Sequence, residues 1–237
     1  LFATGRTTGT VLDSGEGVTH AVPIYEGYAI PHAIQTIDLS GRDLTQYLHK
    51  LMMEKFPTKF HDTTEFYQYA KEIKEKHCRV AQDFDAELKQ ASDSNSSLST
   101  KYPLPGSDML VLNEERIRCP ELLFNPILNN KSLDGIHKFT HDCIIKCDND
   151  IKRDLFKNIV LAGGCTMFFG MKDRMKKEIQ ALAPSPMGPE VDAPADRKYS
   201  CWLGGAILSN IDKFDNMWIK KKEFDEVGSK IVHRKCF

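Results

Sequence analysis

A glycine-rich hairpin near the start of the chain most constrains what these residues can build. Two β-rich runs, Thr8–Leu12 and Val18–Tyr25, flank Asp13-Ser14-Gly15-Glu16-Gly17. That pattern predicts a hairpin with an acidic, glycine-rich tip. Glycine lets backbone N–H groups approach an anion unobstructed, and a neighbouring carboxylate can hold a divalent cation through its water shell. Phosphate with magnesium is the ligand that this chemistry fits. An ordinary solvent-facing turn uses the same residue types, so the tip alone leaves both readings open.

The remaining composition sets outer limits. At 237 residues the chain can hold one large domain or two small ones around a substantial core. Lys and Arg total 32 against 33 Asp and Glu, a net charge of −1. That balance argues against a nucleic-acid or membrane-surface binder. No apolar run approaches the roughly 20 residues of a spanning helix. Seven scattered cysteines without a C-x-x-C pair fit a reducing compartment such as the cytosol. The chain opens at Leu1 directly before the hairpin, so an upstream segment is expected.

Further along, Ser40 predicts an N-cap for an amphipathic helix from about Gly41 to Glu54, with Leu44, Leu48 and Leu51 at helical spacing. Thr63–Cys78 and Asp83–Ala91 read as two more helices, and Ser92–Thr100 as a solvated low-complexity loop. Lys101–Leu104 and Met109–Leu112 straddle Pro105-Gly106, a hairpin signal. A helix near Asp134–Lys146 precedes a buried-strand candidate at Asn158–Ala162. That strand ends in Gly163-Gly164, and the helix after it carries Met171, Met175, Ile179 and Leu182 along a core face. Strand, paired glycines and helix make a second place where backbone can approach a ligand. Alternating strands and helices predict an α/β architecture.

Other groupings have plainer readings. His137 and His141 stand four residues apart with Cys143 nearby, a spacing that can ligate zinc. Without a further spaced Cys/His pair they read as helix surface. Cys143 and Cys147 read as buried small residues rather than a disulfide, and Lys220-Lys221-Lys222 as a solvated face.

Four stretches carry more than pattern: Gly5–Ile34, Ile73–Lys76, Leu161–Met167 and the terminal Ile231–Phe237. In identity, order and spacing they resemble actin, and the resemblance covers this chain nearly end to end as the C-terminal part of a family member. It implies the ribonuclease-H-like ATPase fold of that family. Residues 1–39 with about 132–199 would form the inner part of one lobe, about 40–131 its outer part, and 200–237 the terminal piece of the other lobe.

The resemblance also implies roles. Backbone amides around Gly15, Glu16 and Gly17 would look onto the terminal phosphates of ATP, and Asp13 would hold the water shell of Mg2+ or Ca2+. Lys74 and Glu75 would lie near adenine and ribose, with Gly163, Gly164, Met167, Phe168 and Lys198 completing the base pocket. His20 would help order an attacking water, a positioning role of the kind phosphoryl transfer relies on. Two residues depart from the family pattern. Glu16 stands where the family has aspartate, which is expected to move the charge outward. Phe168 stands where tyrosine is usual, which keeps ring packing and drops the hydroxyl.

Cytoplasmic, cytoskeletal filaments and actin-binding proteins are the partners and setting implied. Phe2, Ala3, Gly27, Leu203, Ile207, Leu208 and Met217 match an apolar groove for such partners, though several read equally as core. Leu128-Asn129-Asn130-Lys131 falls where the family carries an apolar plug between filament strands, and polar residues weaken a buried contact. Cys236 matches an exposed, reactive cysteine. The family's other phosphate hairpin would precede Leu1, so half a cradle predicts weak or no nucleotide binding by these residues alone and slow ATP hydrolysis in a complete chain. A truncated binding module acting through partner proteins is the alternative. A sugar kinase of the same broad fold suits the architecture but not Glu26–Ile34 or Ile231–Phe237.

Overall fold

The computed structural model describes residues 1–92, 98–104 and 109–235, apart from the side chain of Lys213. The Pro105-Gly106 turn, most of the 92–100 loop and Cys236 lie outside the described residues. Strands β1 (Gly9–Ser14) and β2 (Thr19–Tyr25) form the predicted hairpin, and the short strands β3 (Tyr28–Ala29) and β4 (Gln35–Ile37) both pair with β2. Helices α1 (Gly41–Lys55), α2 (Thr64–His77) and α3 (Phe84–Ala91) follow, then strands β5 (Thr100–Pro103) and β6 (Met109–Leu112) as a separate antiparallel pair, then α4 (Glu115–Glu121). Helices α5 (Ile136–Ile145) and α6 (Asn149–Lys157) lead to β7 (Ile159–Ala162), α7 (Met171–Leu182) and β8 (Val191–Asp192). The chain closes with α8 (Ser200–Ser209), α9 (Lys221–Val227) and α10 (Val232–Lys235).

The main sheet is mixed, in the order β3-β2-β1-β7-β8. A tight turn makes β1 and β2 antiparallel, while the long excursion through α1–α6 brings β7 back parallel to β1, with β8 parallel to β7. Every residue of β7 is buried, which explains its unbroken Ile-Val-Leu-Ala run. On β2, Thr19, Ala21 and Pro23 are the buried set and their neighbours are half-exposed, the alternation of a strand covered on one face. Helices α5 and α6 pack on β1 and β2. One continuous core joins Leu12 and Leu161 of the sheet to Leu44, Leu48 and Met52 of α1, Leu110 and Leu112 of β6, and Phe156 of α6. Each such side chain contributes roughly 1.5–3 kcal/mol by leaving water, before the entropy of ordering it.

Several boundaries differ from expectation for physical reasons. β1 runs on to Ser14, so Asp13 belongs to the strand and pairs with His20 rather than sitting in the tip. The Ser14 and Thr19 hydroxyls lie 2.8 Å apart, and Thr19 donates onward to the Leu39 carbonyl at 2.5 Å, which keeps the last strand pair closed. On α7, Met171, Met175 and Ile179 are buried, but Leu182, the final residue, is exposed. Nor does α7 follow the paired glycines directly, because a short 3-10 turn (Gly164–Thr166) and four further residues intervene.

His137 and His141 are not on an open helix surface. α5 packs beside α6 and α7, so His137 stacks on Phe124 at 5.8 Å and His141 tilts against Phe156 at 5.9 Å. Among the described residues no three His, Cys, Asp or Glu side chains converge as a metal site. Cys143 and Cys147 are buried free thiols, the second just beyond the end of α5, and Lys220-Lys221-Lys222 is exposed. No helix of the described residues is long and apolar enough to cross a membrane.

Candidate functional site

The hairpin tip is held by its carbonyls. Gly15 N–H closes the turn onto Val18 O at 3.1 Å, while the Gly15 and Glu16 carbonyls accept from the N–H groups of Gly41 and Arg42, both at 2.9 Å. Ser40 Oγ donates to the same Glu16 carbonyl at 2.7 Å. The N-terminus of α1 therefore spends its unpaired N–H groups on the tip. Within the described residues, no backbone hydrogen bond engages the N–H of Glu16 or Gly17. Glu16 and Cys165 pack close over Gly41, where a Cβ would lie 2.5 Å from Glu16 Oε2 and 2.9 Å from Cys165 Sγ, so a larger residue there would displace both side chains.

Beside the tip opens a cleft of about 510 Å3, lined by Gly15, Glu16, Lys71, Lys74, Glu75, Gly164, Cys165, Met167, Phe168 and Lys198. The lining combines three lysines, two carboxylates and the apolar side chains of Met167 and Phe168. Lys74 is buried, and its ammonium donates to the Gly41 carbonyl and Thr45 Oγ1, both at 2.8 Å. Those bonds offset the loss of water around a buried charge. Glu16 Oε2 lies 3.8 Å from Lys74 Nζ. The longer acid thus comes near the lysine while its own side chain stays 51% exposed. Phe168 is buried, Met167 and Glu75 are exposed, and Lys198 stands 5.7 Å from the Tyr199 ring.

At the other wall, the end of β7 closes on the end of β1. Gly163 has φ +85°, and a Cβ there would sit 2.3 Å from Ser14 O and 2.4 Å from Asp13 Oδ1. No other residue fits. Asp13 lies between His20 of β2 and Ala162 of β7, and its Oδ2 receives the Cys201 thiol at 3.5 Å. His20 Nδ1 shares a 2.9 Å hydrogen bond with Thr36 Oγ1.

Eight of the residues expected at a nucleotide therefore meet around one cleft. Asp13, His20 and Gly163 gather at the adjoining strand ends, and Gly17 is at the exposed tip. Lys71 and Cys165 line the cleft without having been anticipated. Lys71 had a signal, being one turn before Lys74 on the same helix face. Cys165 had none beyond following the paired glycines. Burial pushes the Cys165 thiol up to about 11, and burial followed by the Asp13 charge raises Cys201. Both stay protonated near neutrality, which excludes them as thiolate nucleophiles.

The residues matched to an apolar groove lie elsewhere. Phe2–Thr4 forms a 3-10 turn that packs on α8, where a Cβ on Gly204 would stand 3.7 Å from Phe2 Cβ and Ala3 N. Phe2, Gly27, Ile207 and Met217 are exposed, and Ala3, Leu203 and Leu208 are half-buried. None is in the buried core of the described residues.

The site thus rests on a glycine hairpin tip, a second glycine pair at the end of a parallel strand, and a lysine-lined cleft between them. The actin family model matches the sequence from residue 1 to residue 237, and with the α/β content and mixed sheet described above, the chain belongs to the actin family.

Proposed function

We propose that this is a cytoplasmic, cytoskeletal actin-like protein whose complete chain binds ATP with Mg2+ or Ca2+, assembles into filaments and hydrolyses ATP slowly. The observation that carries this reading is the cleft, where Gly15, Glu16, Lys74, Gly164 and Phe168 meet. Its volume of about 510 Å3 falls in the usual range for small-molecule sites, about 300–1,000 Å3. The donor set also fits a nucleotide. Open space beside Gly164 admits a ligand against the backbone, Met167 and Phe168 offer an apolar surface to a base, and Lys71, Lys74 and Lys198 give the cleft a positive charge that suits an anionic ligand.

In this reading the tip amides of Glu16 and Gly17 meet the terminal phosphates, while the Gly15 N–H stays on Val18 O and holds the turn in shape. Asp13 holds the cation through water, Glu75 accepts from ribose hydroxyls, and Lys198 lies along the base. Lys74, 3.8 Å from Glu16 Oε2, offsets part of the charge that this exposed carboxylate brings to the tip. His20, with Nδ1 engaged by Thr36, has Nε2 free to orient a water. Bound nucleotide supplies the phosphoanhydride, and the cation neutralises it. Residues 1–39 with 132–199 and residues 40–131 are then the inner and outer parts of one lobe, and 200–237 belongs to the other.

One observation favours a second reading, a truncated binding module that acts through partners without stable nucleotide. Trp202, Ile207, Met217 and Trp218 are all exposed along the C-terminal helices, a surface suited to amphipathic partners or another subunit. Sedimentation of the natural protein with Mg-ATP separates the two. ATP-dependent pelleting supports the filament subunit, and soluble protein that captures partners without nucleotide supports the module.

A further inference from the structure

The polar loop after α4 reaches the glycine tip through a chain of hydrogen bonds. Lys131 and Asp43 are 88 residues apart in sequence, yet the Lys131 ammonium donates to Asp43 Oδ1 at 2.5 Å and to the Asp38 carbonyl at 3.1 Å. The ion pair is largely shielded, with side chains 26% and 14% exposed. The second oxygen of Asp43 accepts the Ser40 N–H at 2.9 Å as part of the α1 cap. Ser40 is fully buried and donates its hydroxyl to the Glu16 carbonyl at 2.7 Å. Lys131, Asp43, Ser40 and Glu16 are thereby linked by three successive hydrogen bonds.

We propose that Lys131 is a positioning residue for the hairpin tip, and that the loop carrying it sets the order of the Gly15–Gly17 amides. Asp43 would cap α1 without help, since a carboxylate in the first helical turn is favoured by the helix dipole. Lys131 adds orientation: it pins one carboxylate oxygen so that the other stays on Ser40, and Ser40 in turn stays on Glu16. A contact that draws Lys131 from Asp43 releases the chain at its outer end and loosens the tip. The consequence for a ligand rests on the nucleotide reading above; the mechanical link does not.

Amide hydrogen exchange on the full-length natural protein tests this, with Lys131→Met to remove the charge and Lys131→Arg to retain it. The Met variant is expected to speed exchange by about fivefold at Gly15, Gly41 and Arg42, the hydrogen-bonded amides of the tip and its cap, the scale of one partly shielded ion pair. Rates in β7 and the thermal midpoint stay at wild-type values, and Arg restores the tip. Mg-ATP affinity should fall by a similar factor in the Met variant and recover with Arg. Wild-type exchange at the tip of the Met variant, or acceleration spread equally into β7, overturns the proposal. If Mg-ATP leaves the wild-type tip unprotected, the nucleotide reading fails, and the exchange difference without ligand still decides the coupling.

Discussion

Strand β7, Ile-Val-Leu-Ala, and helix α8, Cys-Trp-Leu-Gly-Gly-Ala-Ile-Leu between two serines, are both almost wholly apolar, yet they meet opposite surroundings. All of β7 is buried between β1 and β8. In α8 the only buried residue is Ser200, while Trp202 is 72% and Ile207 48% exposed. The pattern extends to α9, where Phe224 is 50% exposed, and to Trp218 at 52%. Apolar sequence records that a surface is to be covered, not by what. In the body of the molecule the cover is the chain itself. Along 200–235 the described residues leave much of it open.

The sharpest way to break this contrast is truncation on each side. Phe156→Ala removes a fully buried ring and is expected to cost about 3–5 kcal/mol in urea denaturation. Trp202→Ala, on a face left exposed by the described residues, should change the stability of these 237 residues by no more than about 0.5 kcal/mol. Equal losses at the two positions would abolish the distinction. A comparable effect is expected from the one bidentate buried ion pair among the described residues. Arg174 donates to both oxygens of Glu121 at 3.0 and 2.9 Å and lies 4.7 Å from the Phe124 ring. Arg174→Met strands the carboxylate and should cost about 3–5 kcal/mol, most of it recovered by adding Glu121→Leu.

Smaller in effect, pH sharpens the contrast. Burial lowers the His137 pKa below its ordinary value, so the folded body favours the neutral ring. That contribution is complete above the unfolded value of about 6.5 and is lost as pH falls through it toward the lowered folded value. Denaturation midpoints should therefore decline on mild acidification, with a flatter profile in His137→Phe. An unchanged profile would show that the ring is not held neutral by the core.

Local signals made much of this legible. The β1–β2 hairpin follows from alternation around a glycine tip, and the start of α1 from Ser40, which caps it with Asp43 as a reciprocal pair. The positions of Lys74, Glu75 and the paired glycines came from residue identities rather than periodicity. What could not be read depends on distant partners. Asp13 joins the strand by pairing with His20 and with Ala162 of the distant β7, and Glu16 comes near Lys74, which a later helix supplies. The two histidines of α5 looked like surface because nothing local announces Phe124 and Phe156. The exposure of α8 was equally hidden, since a helix apolar on every side ordinarily reads as buried.

The central claim is that the cleft between the tip and the paired glycines holds an adenine nucleotide with its cation. Acid extraction of the natural protein, isolated from its source in Mg2+ buffer, with the released nucleotide quantified per chain, tests it most directly. The account predicts stoichiometric ATP or ADP, lost when the cation is chelated. Folded protein that yields no adenine nucleotide would contradict it.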